Sequence, residues 1–333
     1  MTDQAAPSDF TVLPDLAAER SGGAVISAND EFFADKENLL KAAAPVWREG
    51  VYTDRGKWMD GWETRRRREP GSDWCIIRLG EPGVIRGVVV DTAHFTGNYP
   101  EACSIEAASL PGVPDAAALA SARWVEILPR SPLAGDCRNP FAIASTARWT
   151  HLRFSIHPDG GVARLRVHGD AVPDADLLRR VAGWTDLAAL SNGGQVVAQS
   201  DAFYGTAANM LKGGRSVDMS DGWETKRRRA PGNEWAIVRL SQPGLVRRAE
   251  IDTDHFKGNA PGWCSLESCV AQHDDLSAAA WQPLLPRTPL QPHARHGFES
   301  ELATRDAVTH VRLSIYPDGG IARLRLLGTA CRT

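Results

Sequence analysis

Apolar and polar residues alternate over short stretches through most of this chain. Leu152, Phe154 and Ile156 fall on every second position, Pro158-Asp159-Gly160-Gly161 interrupts, and Leu165 and Val167 then alternate with Arg164 and Arg166. A period of two is that of a half-buried strand. The break is a turn, because proline presets φ and glycine supplies positive φ. Trp74–Leu79, a turn at Glu81-Pro82-Gly83 and Val84–Asp91 follow the same plan, as do Trp235–Leu240 and Leu245–Asp252. Helical spacing is expected only over Glu31–Ala44, Asp174–Val181 and Ala207–Lys212. Short strands between Gly/Pro turns predict an all-β chain of antiparallel sandwiches or jelly rolls.

The pattern occurs twice. Asp60-Gly61-Trp62-Glu63-Thr64-Arg65-Arg66-Arg67-Arg68 is matched by Asp221-Gly222-Trp223-Glu224-Thr225-Lys226-Arg227-Arg228-Arg229. Asp91-Thr92-Ala93-His94-Phe95-Thr96-Gly97-Asn98 is matched by Asp252-Thr253-Asp254-His255-Phe256-Lys257-Gly258-Asn259, at the same offset of 161. Upstream the offset is 171, so the first copy carries ten extra residues around Ala44–Thr53, expected as a surface loop. Trp124–Leu133 matches Trp281–Leu290, and His151–Gly169 matches His310–Gly328. So long a period means tandem globular domains. The expected division is a flexible leader over 1–14, a first repeat over 15–170, a linker over 171–182 and a second repeat over 183–333.

Composition narrows the function. With 333 residues, 24% charged and a net charge of −3, the chain has the size of two domains and is not a general polyanion binder, which argues against nucleic acid. No apolar run is long enough to span a membrane, and the N-terminus lacks the basic and apolar regions of a signal peptide. Six cysteines without a CxxC pair suggest reduced thiols and a cytoplasmic protein.

Three groups of residues carry candidate chemistry. The basic runs, Arg65, Arg66 and Arg67 in one copy and Arg227 and Arg228 in the other, offer guanidinium groups that clamp a carboxylate, or else solvate a strand edge. His94 and His255 end a strand and begin a loop, where they either act as acid or base or tie the loop to the sheet. Asp91 and Asp252 either orient those imidazoles or form Asx turns. The third group is His157, which is Tyr316 in the second copy, with Arg164 and Arg323 following the turn. In a half-buried strand these arginines need anionic partners, for which Glu63 and Glu224 are the candidates. No HExxH, His-x-His, phosphate loop or GxSxG elbow is present, so no metal ligands and no cofactor are expected.

Taken together, Asp-Gly-Trp-Glu-Thr-Arg-Arg-Arg-Arg, Asp-Trp-Cys-Ile-Ile-Arg-Leu-Gly and Asp-Thr-Ala-His-Phe-Thr-Gly-Asn-Tyr-Pro resemble the allantoicase family, over Asp15 to Gly328 and including its duplication. The resemblance implies tandem jelly-roll, galactose-binding-like domains and hydrolysis of allantoate to ureidoglycolate and urea in purine (allantoin) degradation. That substrate has one carboxylate and two ureido arms on one carbon. Its chemistry then suggests Arg65, Arg66 and Arg67 for the carboxylate, His94 as acid/base, Glu63 or Asp91 assisting, and Asn98 and Arg130 on the ureido group. Asn259 and Arg287 are the counterparts in the second repeat. Which repeat reacts stays open, with Tyr99 and His157 favouring the first. The alternatives are a non-catalytic tandem jelly-roll binding protein and an inactive relative; a homo-oligomer is also left open.

Overall fold

A computed structural model describes residues 10–112, 114–174, 183–303 and 306–331. Its contacts divide the chain into two units, Met1–Val172 and Pro173–Thr333. Each is an antiparallel β-sandwich built around one long strand.

In the first unit that strand is Asp73–Asp91. Its first half pairs with Ala24–Ala28 on one side and Arg148–His157 on the other, and the sheet continues through Ala102–Ala108 to Val125–Pro132. Its second half pairs with Arg164–Ala171 and Arg138–Ala142. Between Arg78 and Gly83 the register shifts. The Glu81-Pro82-Gly83 segment is therefore a bend that carries one strand from one layer to the next, not a turn that ends it. Gly83 is required there, since a Cβ would stand 2.1 Å from the Asp170 carbonyl oxygen. Between the layers lies one core that includes Trp62, Ile77, Ile85, Val88, Ile105, Phe154 and Leu165.

The second unit repeats the plan with Glu234–Asp252 as its long strand. Val308–Tyr316 and Gln195–Gln199 flank the first half, and Arg323–Ala330 and Arg295–Phe298 flank the second.

The helical expectations fared unevenly. Glu31–Ala44 contains a single 3-10 turn, Lys36–Leu40. Ala34 explains this: its N–H and C=O both bond to the main chain of Glu63, so no helix can run through it. Ala207–Leu211 is likewise a 3-10 turn, and Asp174–Val181 lies outside the described residues except for Asp174. A short helix at Ala116–Ser121, capped by the Asp115 side chain on Ala118 N–H at 2.8 Å, went unread. The inserted stretch is exposed and leads into the small hairpin Tyr52–Thr53/Gly56–Lys57. Of the leader expected over 1–14, residues 1–9 lie outside the described residues; Phe10 is buried and Pro14 accepts a bond from Gly169 N–H, so that end is packed. Most of the linker, 175–182, also lies outside the described residues. Among the described residues no helix is long and apolar enough to cross a membrane.

Glu81, at the bend, is 6% exposed, and burial pushes its carboxyl up to about 7. The second unit has Gln242 there. A carboxyl raised in the folded state does not weaken the fold below its unfolded pKa near 4.5; it costs stability as pH rises from there to about 7. Glu81→Gln is therefore expected to add roughly 1–3 kcal/mol of stability at pH 8 and almost none near pH 4.5. Denaturation midpoints at the two pH values check this, and a pH-independent difference contradicts it.

Candidate active site

Glu63 is fixed by main-chain pairing on both sides. The two-residue strand Trp62–Glu63 pairs with Gly161–Val162, and Glu63 bridges to Ala34. Beneath it, Trp62 is fully buried, with its indole N–H donating to the Asp30 carbonyl at 2.8 Å. Phe95, also fully buried, reaches over from the Asp91–Asn98 loop and fills the space above two glycines. A Cβ on Gly161 would stand 1.9 Å from the Phe95 ring, and one on Gly61 would be 2.8 Å from it. The same loop is tied down by Gly161 N–H donating to Asn98 C=O at 2.8 Å. Asn98 is thereby brought to Glu63, and its amide Nδ2 donates to Glu63 Oε1 at 2.7 Å.

Burial raises the Glu63 carboxyl above its ordinary pKa, and the Asn98 hydrogen bond offsets this only in part. No cation forms an ion pair with Glu63 among the described residues. A half-buried carboxyl held by one neutral donor is poised to give and take a proton.

Beside it the arginine run is extended, and alternate members differ in their commitments. Arg65 N–H bonds to Asp30, and its guanidinium pairs with the same carboxylate at 2.6 Å. Arg67 N–H donates to Asp159 Oδ2 at 2.8 Å, and its guanidinium pairs with the buried Asp73 at 2.7 Å. The Gly71 turn closes over Arg67, where a Cβ would lie 2.7 Å from the guanidinium. Arg66 and Arg68 are exposed and have no hydrogen-bond or ion-pair partner among the described residues. These side chains line an open cleft of about 810 Å³ together with Glu63, Asn98 and Tyr99. The cleft thus holds two available guanidinium groups next to a protonatable carboxyl.

Several expected site residues lie elsewhere. His94 does not line this cleft. It adopts φ 70°, in the left-handed region that histidine enters more readily than most residues, and Asp136 accepts its N–H at 2.7 Å. Its Nε2 meets the Pro45 carbonyl at 3.3 Å, so it ties the loop to the inserted stretch. His255 has φ 69° and bonds to the Ser216 carbonyl at 3.0 Å. Asp91 and Asp252 form Asx turns, accepting from Ala93 and Asp254 N–H. Arg164 pairs with Asp60 at 2.8 Å and Arg323 with Asp221 at 2.6 Å, not with Glu63 and Glu224. Asp60 and Asp221 stand two residues before the glutamate strands Trp62–Glu63 and Trp223–Glu224. His157 bonds to Ser104 Oγ at 2.9 Å, away from the cleft wall; burial and then Arg130 hold its imidazole below the usual range. Arg287 sits on the rings of Tyr316 and Trp263. Arg68 and Tyr99 were not among the candidates. Arg68 continues the run, and Tyr99 was noted only as a difference between copies, so both had left a trace in the sequence. Among the described residues no three His, Cys, Asp or Glu side chains are grouped to hold a metal ion.

Comparison with known proteins gives a consistent picture. The family model described as the allantoicase repeat matches residues 14–172 and again 185–331. A probable allantoicase of Nocardia farcinica is 53% identical over 98% of this chain and 97% of its own. An allantoicase of Dictyostelium discoideum is 47% identical, covering 97% of this chain and 89% of its own. The crystal structure of an allantoicase from Saccharomyces cerevisiae superposes with a TM-score of 0.78 at 36% identity, covering 95% of this chain and 93% of that one.

The buried Arg164–Asp60 pair gives a direct test of how the site is held. Asp60→Ala leaves a guanidinium that is 2% exposed without its counter-charge, and is expected to lower unfolding free energy by about 3–5 kcal/mol. Guanidinium chloride denaturation measures this, and a loss below about 1 kcal/mol contradicts the assignment.

Proposed function

The chain belongs to the allantoicase family, and we propose that the first-unit cleft is where it hydrolyses allantoate to ureidoglycolate and urea. The full-length similarity to allantoicases sets aside the binding-module alternative. The observation that carries the assignment of the cleft is the Glu63–Asn98 pair beside Arg66 and Arg68.

In this reading Arg66 and Arg68 bind the substrate carboxylate, each supplying planar donors that match its two oxygens. One ureido arm then lies against Glu63. The protonated Glu63 carboxyl gives its proton to the nitrogen joining that arm to the central carbon. The C–N bond breaks, urea leaves, and the lone pair of the remaining ureido nitrogen forms a C=N bond to the central carbon. Water adds to that carbon as the Glu63 carboxylate takes one of its protons. The hydroxyl of ureidoglycolate results, and Glu63 is protonated again. One side chain thus serves both halves of the reaction, which suits a carboxyl raised above the ordinary range. Asn98 is a positioning residue: by donating to Oε1 it leaves Oε2 for the substrate. Tyr99 walls the site.

The scheme needs no metal or cofactor and leaves His94 outside the chemistry. The six free cysteines support a reducing, cytoplasmic setting.

Urea release from allantoate tests the reading. It is expected with and without a chelator, and loss with chelator contradicts the metal-free scheme. Arg66→Ala with Arg68→Ala should raise KM by roughly 10–100-fold, from the loss of two charge-assisted contacts at about 1.5–3 kcal/mol each before compensation by solvent; an unchanged KM removes them from carboxylate binding. His94→Gly, which relieves the positive φ, should keep kcat within a few-fold. Because the reacting form carries a proton on Glu63, kcat/KM should fall as pH rises through its raised pKa; a rate that climbs with pH across that range would mean that the carboxylate form reacts.

A further inference from the structure

The second unit repeats the main contacts of the first cleft. Asn259 Nδ2 donates to Glu224 Oε1 at 2.6 Å. Trp223 donates to the Asp201 carbonyl at 2.8 Å, Lys226 N–H to Asp201 Oδ2 at 2.8 Å and Arg228 N–H to Asp318 Oδ2 at 2.7 Å. Phe256 fills the space above Gly320, where a Cβ would be 2.0 Å away. One exchange preserves geometry while changing residues. Asp73 and Asn29 of the first unit become Glu234 and Ser200: the acid is longer and its partner shorter, and the Arg228–Glu234 pair stays at 2.7 Å. The outcome is again two exposed arginines, Arg227 and Arg229, with no hydrogen-bond or ion-pair partner among the described residues.

What differs is the wall. In the first unit the Tyr99 ring lies on Gly135, where a Cβ would be 2.4 Å from it. The second unit has Ala260 and Pro292 at these positions, and Gly262 where the first has Glu101. Proline would occupy the space a ring at 260 needs, so the two substitutions go together. The second site therefore lacks the tyrosine wall and an acidic side chain that lines the first, and Asn259 Nδ2 also meets Met219 Sδ at 3.7 Å.

We propose that the second unit carries a second ligand site, one that binds a small monoanionic carboxylate bearing a ureido or amide arm. Arg227 and Arg229 take the carboxylate, and the Glu224–Asn259 pair meets the arm. Without the tyrosine wall, water reaches the bound arm, so this site holds its ligand and is not a second centre of equal turnover. The inference rests on the reading of the first cleft, whose residues supply the template.

The test is calorimetric titration of the full chain with N-carbamoylglycine, which has a carboxylate and one ureido arm but no second arm to leave. The wild-type chain should bind two equivalents. Arg66→Ala/Arg68→Ala should bind one, Arg227→Ala/Arg229→Ala one, and the four-fold variant none. All four arginines are exposed and have no partner among the described residues, so these variants are expected to fold, which circular dichroism verifies. Unchanged stoichiometry in Arg227→Ala/Arg229→Ala, or a single wild-type equivalent lost in Arg66→Ala/Arg68→Ala, overturns the second site. An equivalent that survives Arg66→Ala/Arg68→Ala but disappears with Arg227 and Arg229, in a chain that binds only one, upholds the second site and overturns the reading of the first.

Discussion

A buried guanidinium organises each half of this protein. Arg164 has 2% exposure, and its donors go to the Asp60 carboxylate, the Asp60 and Ala163 carbonyls and the Ala43 carbonyl. A charge so placed is costly unless every donor is met, so three separate segments are drawn to one point. One of them leads into the strand that carries Glu63. The strand has only two residues and could not persist alone; it holds because Arg164 fixes Asp60 just before it, Trp62 is fully buried and Gly161 and Ala34 pair with Glu63. Arg323 and Asp221 play the same part in the second unit.

With the strand fixed, the chemistry of the cleft follows from which charges are already satisfied. Four consecutive arginines would make a featureless electropositive edge if all were free. Asp30, Asp73 and Asp159 instead tie down Arg65 and Arg67, by side chain or main chain, and leave Arg66 and Arg68 to an incoming anion. Fixing the alternate residues removes their freedom beforehand, so less ordering accompanies binding. The carboxyl between them and Asn98 is desolvated and has no cationic partner among the described residues, and burial raises its pKa above the ordinary range.

Much of the architecture was legible because period-two alternation and Gly/Pro breaks report directly on half-buried strands. The duplication, read at a constant offset, marked Glu63, the arginine run and Asn98 as parts of one repeated arrangement. What the sequence hid was direction. Nothing in the pattern says that Arg164 pairs with Asp60 and not with Glu63, three residues further on. For His94 and His255 the structure shows a shared left-handed backbone position and a ring bond to a main-chain carbonyl, Pro45 in one copy and Ser216 in the other, which a single sequence does not separate from proton transfer. The bend at Glu81 read as a turn because Pro and Gly serve both purposes.

The mechanism depends above all on Glu63 carrying the proton to the leaving urea. Glu63→Gln keeps the hydrogen bond to Asn98 and the size of the side chain while removing the titrating group. The decisive measurement is urea release at saturating allantoate by this variant, with its fold verified by circular dichroism. A fall in kcat of roughly 10²–10⁴-fold is expected, the usual contribution of general acid–base catalysis. A kcat within a few-fold of wild type, from folded protein, would contradict it.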